Sequence, residues 1–299
     1  MLPGLLIQRL SKLPKGLKTR FAPSPTGYLH LGHVASAIYV WGLARLAKAE
    51  VILRIEDHDQ ARSRKPYESS ILADLEWLGF HADQGVRSEA PSAFRQSDHF
   101  ERYASALASL PHIYHCQCSR KDIQDRDPNA MASGELRYDG YCRALSAGPN
   151  VRLPVPDRQV AFEDLILGEQ IQAPSEQCGD LLLKDRDGFW TYNFAVCVDD
   201  VADDIGLIIR GQDILSATGR QILLREKLGG RSEMIYVHHP LIYASKDHKL
   251  SKRDHSTSIA QWREGGLSAQ EIIGKAAYQV GLIDREKQVS ATEVEALFL

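Results

Sequence analysis

The amino-acid sequence predicts an α/β fold that opens on a parallel sheet, and three neighbouring features predict it. Thr19-Arg20-Phe21-Ala22 is a short strand stopped by Pro23 and Pro25, both poor members of a ladder. Thr26-Gly27 turns the chain, and from Leu31 to Lys48 the residues Val34, Ile38, Trp41 and Leu46 recur near helical spacing. Val51-Ile52-Leu53-Arg54-Ile55 then reads as a strand rich in β-branched residues. Strand, Pro/Gly turn, helix and strand begin a parallel α/β sheet.

The later segments follow in order. Helices are expected over Tyr67–Leu78, His99–Leu110, Ala217–Leu228 and Ala269–Val280, and Leu207-Ile208-Ile209 reads as a buried strand. Gln170 to Val201 alternates and reads as strand on both sides of the turn Asp185-Arg186-Asp187-Gly188. Between His115 and Asn150 lie three Cys, many charges, Gly and Pro, the composition of an insertion unable to pack a core by itself. Ala244–Ser256 is a polar loop, and the charged tail after Ile283 is expected to pack loosely. The expected divisions are an N-terminal extension (1–17), the first half of the α/β body (18–114), the insertion (115–150) and the remainder (151–299).

Composition narrows the function. The 299 residues are 43% apolar and 25% charged, enough to bury a core. A net charge of −3 excludes a histone-like electrostatic binder but permits a local basic groove. No apolar run approaches the roughly 20 residues of a membrane span, so no membrane partner is expected. Five cysteines are odd in number and few, pointing to a reducing compartment. Met1–Lys18 carries Arg9, Lys12, Lys15 and Lys18 without an acid, but Leu5-Leu6-Ile7 is shorter than a signal core. A short basic extension of a cytoplasmic protein is expected.

Two segments carry phosphate chemistry. His30-Leu31-Gly32-His33 sits where a strand and turn give way to a helix. Its two imidazoles share a face beside unpaired backbone N–H groups, and Gly32 admits close approach. Ring N–H donors there can meet charge developing on a phosphoryl group. Lys249-Leu250-Ser251-Lys252-Arg253 places three cations in five residues, able to clamp a polyphosphate. Either segment alone is a weak signal, compatible with two ordinary histidines or a solvated basic loop.

Together, and in this order, they resemble the two signatures of class I aminoacyl-tRNA synthetases. Arg20-Phe21-Ala22-Pro23-Ser24-Pro25-Thr26-Gly27-Tyr28-Leu29-His30 resembles the opening of glutamyl-tRNA synthetases, and Arg54-Ile55-Glu56-Asp57 their next strand end. Tyr192-Asn193-Phe194-Ala195, Val198-Asp199-Asp200 and Ile209-Arg210-Gly211 continue the pattern. Glutaminyl relatives would show P-E-P-N-G in the first motif. The resemblance implies a Rossmann-type catalytic domain that adenylates L-glutamate with Mg·ATP. It assigns ATP to His30, Gly32, His33, Lys249, Ser251 and Lys252, with His30, His33, Lys249 and Lys252 catalytic. It assigns glutamate to Arg20, Phe21, Ala22, Pro23, Ser24, Glu56, Tyr192 and Arg210. The chemistry agrees: Arg20, Arg210 and Tyr192 can donate to a side-chain carboxylate, and Glu56 can face an ammonium.

Cys116-Gln117-Cys118 and Cys142 suggest a metal site in the insertion, with His115, Tyr138 and Tyr141 as candidates for a fourth ligand. Reduced thiols are the alternative. Cys116-x-Cys118 with Tyr138-Asp139-Gly140-Tyr141-Cys142 resembles the zinc site of a truncated branch of the glutamyl-tRNA synthetase family. That branch passes glutamate to queuosine, at the anticodon wobble position of tRNA(Asp). The resemblance implies one structural zinc on Cys116, Cys118, Tyr138 and Cys142. With 46 residues after Arg253, no helical anticodon-binding domain is expected. Cys178 and Cys197 are expected in the core.

Overall fold

The computed structural model describes residues 3–88, 90–132, 134–231, 233–245, 248–249 and 257–299. Helix α1 (Pro3–Leu10) precedes strand β1 (Lys18–Phe21), helix α2 (Leu31–Ala47), strand β2 (Glu50–Leu53), helix α3 (Lys65–Leu78) and strand β3 (Gln84–Gly85). β1 runs parallel to β2 with Thr19 opposite Val51, and β2 parallel to β3. The expected strand–helix–strand opening is therefore present.

Helix α4 (Phe100–Ser109) leads into a second sheet, made from β4 (Tyr114–Cys116), β5 (Asn150–Leu153) and β8 (Leu181–Lys184), all antiparallel. The segment between β4 and β5 carries helix α5 (Arg120–Arg126). Strands β6 (Val160–Asp164) and β7 (Gly168–Gln172) form an antiparallel pair, followed by the short helix α6 (Pro174–Gln177). Helix α7 (Tyr192–Ala202), β9 (Leu207–Gly211), helix α8 (Thr218–Lys227) and β10 (Ile235–His239) complete the body, with β9, β10 and β6 parallel. β11 (Tyr243–Ser245) and β12 (His248–Lys249) form a hairpin, and helices α9 (Ile259–Glu264) and α10 (Ala269–Gln279) follow.

A bridge from Lys18 to Ile205 joins the two parallel groups into the order β3-β2-β1-β9-β10-β6-β7. Pairing between β1 and β9 is confined to that bridge, so a crevice opens between their C-terminal ends. There the strand order reverses, the position where open α/β sheets bind ligands.

Helix α2 fills the centre of the main core, with Val34, Ile38, Leu43 and Ala44 at most 1% exposed. Leu6 and Leu10 of α1 join the same core, so the basic extension lays an apolar face on the body.

Three expectations are corrected. Residues 192–201, expected as strand, lie in helix α7. Phe194 to Asp200 are all buried, and a helix buried on every side shows no periodicity that separates it from a strand. The strand expected after Gly188 is a single bridge from Trp190 to Lys184. The tail does not pack loosely: Ala291–Phe298 is a 3₁₀ helix with Val294 and Phe298 buried against α2. A Cβ at Gly42 would collide with the Phe298 ring, so glycine permits that approach. The charges at 284–287 stay in solvent while Val289, Val294 and Phe298 turn inward.

Candidate active site

The crevice holds a cleft of about 600 Å³, and it gathers the residues singled out from both sides of the sheet reversal. Arg20, Phe21, Ala22, Pro23 and Ser24 come from the end of β1, His30, Gly32 and His33 from the start of α2. Glu56 follows β2, Tyr192 opens α7 and Arg210 is the penultimate residue of β9. Ser251 and Lys252 lie outside the described residues, and of Lys249 only the backbone, in β12, is described.

At the start of α2 the two histidines cap the helix reciprocally. His30 Nδ1 accepts from the Gly32 N–H at 3.1 Å, and His33 Nδ1 accepts from the His30 N–H at 3.0 Å. Their ring centroids are 3.9 Å apart. An imidazole whose Nδ1 accepts carries its proton on Nε2. Both rings are thereby fixed as Nε2–H donors at a helix N-terminus, the arrangement a phosphate needs. A Cβ at Gly32 would sit 2.9 Å from the His30 ring, so this glycine makes room for the imidazole itself.

Arg20 and Glu56 sit on a buried charge network. Asp200 Oδ1 accepts from Arg20 Nε at 3.1 Å and Arg54 Nη2 at 2.7 Å, while Arg225 lies 3.7 Å from its other oxygen. Burial pushes the Asp200 carboxyl up, but Arg20, Arg54 and Arg225 outweigh it and hold it at about 2. Glu56 accepts from Arg54 at a longer 3.3 Å. Burial lifts its carboxyl above the ordinary value, with Arg54 and Arg20 only partly offsetting this. Asp200 is thus amply compensated and Glu56 is not, so Glu56 would gain from an arriving cation.

Arg210 is 5% exposed and spends its donors on neutral partners. Nη1 donates to Gln221 Oε1 at 2.6 Å, Nη2 to Thr218 Oγ1 at 2.8 Å and Nε to His238 Nε2 at 3.0 Å. Behind it, His238 Nδ1 donates to Asp164 Oδ2 at 2.7 Å, which leaves Nε2 as the acceptor Arg210 requires. Burial keeps His238 below its usual pKa in spite of Asp164. No carboxylate pairs with Arg210 among the described residues. A buried guanidinium held by neutral groups and facing a cleft calls for an anion.

In the insertion the Sγ atoms of Cys116, Cys118 and Cys142 lie within 4.8 Å of one another. The Tyr138 hydroxyl is 3.3 Å from Cys116 Sγ and 3.9 Å from Cys118 Sγ, and all four side chains are buried. Of the fourth-ligand candidates, His115 turns to the Gly148 carbonyl and Tyr141 is exposed under Arg126. Ligands around a tetrahedral ion with bonds near 2.3 Å sit about 3.8 Å apart, which these spacings fit. The buried cluster here contains little besides these groups, Tyr114, Ile123 and Ala130. Cys178 and Cys197 are buried elsewhere, Cys197 on α7.

Residues 16–293 match the family model for the catalytic domain of class I tRNA synthetases (E and Q). The chain belongs to that family. Glutamyl-Q tRNA(Asp) synthetase of Symbiobacterium thermophilum is 37% identical over 296 residues, covering 93% of this chain and 91% of that protein. Glutamate–tRNA ligase of Sulfurihydrogenibium sp. is 35% identical over 292 residues, covering 92% of this chain and 61% of the ligase. A glutamate tRNA ligase from Elizabethkingia meningosepticum, solved in complex with its amino acid, matches with TM-score 0.76 and 27% identity, covering 94% of this chain and 64% of that one. The chain thus spans about three fifths of the two ligases and nine tenths of the glutamyl-Q relative.

The roles of several groups in and behind the cleft of this synthetase fold escape sequence reading. Asp200 and Asp164 act through arginine and histidine partners far along the chain. His58 lines the cleft two residues beyond Glu56. The sequence does carry a signal for it, since a histidine close after an acid at a strand end stands at the ligand edge of the sheet.

Proposed function

We propose that this chain activates L-glutamate with ATP to glutamyl-adenylate without tRNA, then transfers glutamate to queuosine at the wobble position of tRNA(Asp). The observation that carries the first step is the buried Arg210 with no carboxylate partner among the described residues, in one cleft with Arg20 and Glu56. Two guanidiniums and one carboxylate complement an amino acid bearing two carboxylates and one ammonium. Phe21, Ala22, Pro23, Ser24 and Tyr192 would shape the rest of that pocket. No protein nucleophile is required, because the substrate carboxylate attacks the α-phosphorus and pyrophosphate leaves. His30 and His33 would donate Nε2–H to the phosphates over Gly32, and Lys249, Ser251 and Lys252 would close on the far side. Mg²⁺ would arrive on ATP and neutralise phosphate charge.

The acceptor assignment is supported by near full-length similarity to a glutamyl-Q tRNA(Asp) synthetase and by the three-thiol, one-phenol cluster. Cys116, Cys118, Tyr138 and Cys142 would hold one structural zinc, fixing an insertion that has few apolar residues of its own. Thiolate ligands need a reducing compartment, so the protein would work in the cytoplasm.

Pyrophosphate exchange in the absence of tRNA tests the activation step. Exchange is expected with L-glutamate and at most weakly with L-aspartate or L-glutamine. Exchange that requires tRNA, or that prefers glutamine, contradicts it. For the insertion, Cys116→Ser is expected to lower zinc content well below one per chain and expose the insertion to limited proteolysis, leaving the α/β body folded. Zinc-free wild type after purification under reducing conditions would rule the metal out, and full zinc in Tyr138→Phe would move the fourth ligand elsewhere.

A further inference from the structure

Three imidazoles line the cleft among the described residues, and they are not chemically alike. His30 and His33 accept at Nδ1 and so present N–H. His58 is set the other way. Its backbone N–H and its Nδ1 both meet Gln96 Oε1, at 3.2 and 2.7 Å. The amide of Gln96 cannot be reversed, because its Nε2 donates to Asp199 Oδ2 at 2.9 Å. Asp199 is itself held by the Tyr103 hydroxyl at 2.7 Å and Arg102 at 2.9 Å. His58 Nδ1 must therefore carry the proton, and neutral His58 has its lone pair on Nε2. The side chain is 8% exposed, and Nε2 makes no hydrogen bond to a described residue.

We propose that His58 is the general base of the transfer step. This rests on the activation and transfer proposed above, and it names the group that takes the acceptor's proton. The hydroxyl oxygen of the acceptor nucleoside attacks the carbonyl carbon of glutamyl-adenylate, and its proton passes to His58 Nε2. The bond from that carbon to the phosphate oxygen breaks, and AMP leaves with the electron pair. The proton then returns from His58 to water, leaving a glutamyl ester and AMP. A base whose second nitrogen is fixed by a further, oriented group is the recurring arrangement for such a role. His30 and His33 present donors and cannot act this way while neutral. Glu56 faces Arg54 and the substrate ammonium. The groups bearing on His58 are Glu56 and Asp59 on its own loop, Tyr192 across the cleft on α7, and Asp199 behind Gln96.

The test follows pyrophosphate exchange and single-turnover transfer from enzyme-bound glutamyl-adenylate to queuosine-containing tRNA(Asp) in full-length wild type, His58→Asn and His58→Ala. Asparagine keeps a donor for Gln96. Transfer is expected to fall about 10²–10⁴-fold more than exchange in both variants. Added imidazole should partly restore transfer by His58→Ala and leave its exchange rate unchanged. Equal losses in exchange and transfer, or a His58→Ala transfer rate that imidazole does not raise, would overturn the role. If wild type instead esterifies a tRNA 3′ end, the acceptor assignment fails and the same comparison on that hydroxyl still decides His58. If wild type forms no glutamyl-adenylate, both fall.

Discussion

Asp200→Ala is expected to destabilise the fold by about 3–5 kcal/mol, the usual cost of leaving buried charges without their partner. Asp200 receives Arg20 and Arg54 directly and lies 3.7 Å from Arg225, and all four side chains are at most 4% exposed. Alanine leaves three guanidiniums facing a void. Arg54 retains Glu56 and Asp203, but Arg20 loses the contact that aims it into the cleft. The pH dependence has a definite sign. The carboxyl is held at about 2 in the folded protein against an ordinary 3.8. The stability it contributes is present above the ordinary value and is lost as pH falls through the interval down to about 2. Urea unfolding at pH 7 and at pH 3 measures both effects. Wild type should lose part of its advantage over Asp200→Ala at the lower pH, and equal stability of the two at pH 7 would contradict the network.

Arg210→Met is expected to raise the KM for glutamate by roughly 30- to 5,000-fold, the 2–5 kcal/mol range for truncating one partner of a buried charge pair. The KM for ATP should move far less. The neutral groups around Arg210 explain why lysine should not rescue it. Gln221, Thr218 and His238 each take a separate N–H of the planar fork, and an ammonium cannot reach all three and the substrate together. The Met variant should also discriminate less between glutamate and glutamine. Steady-state exchange against each amino acid measures this, and an unchanged glutamate KM would remove Arg210 from the pocket.

Much of the cleft was legible because its groups lie in contiguous motifs. Arg20 to Ser24, His30 to His33 and Glu56 sit beside Pro, Gly or β-branched signals that mark strand ends and helix starts. What was hidden depends on distance along the chain or on burial. Asp200 meets Arg20 from 180 positions away, and no local pattern announces such a pair. Helix α7 resembles a strand in sequence because its apolar run is enclosed on all sides. The tail's packing is hidden in the sequence because its charges come first and its anchoring residues, Val294 and Phe298, are few and late. In the cysteine cluster the residue types leave His115, Tyr138 and Tyr141 open as a fourth ligand, the family resemblance points to Tyr138, and the fold brings that hydroxyl beside the sulfurs.

The most direct measurement supplies labelled glutamate, ATP and tRNA(Asp), with and without queuosine, and locates the label by nuclease digestion. The label should appear on the anticodon fragment that carries queuosine and only when queuosine is present. Transfer should weaken as salt rises, since phosphate contacts would hold the tRNA. Label on the terminal adenosine of tRNA(Glu), or equal labelling of unmodified tRNA(Asp), would contradict the account and make the chain a 3′-end-charging synthetase.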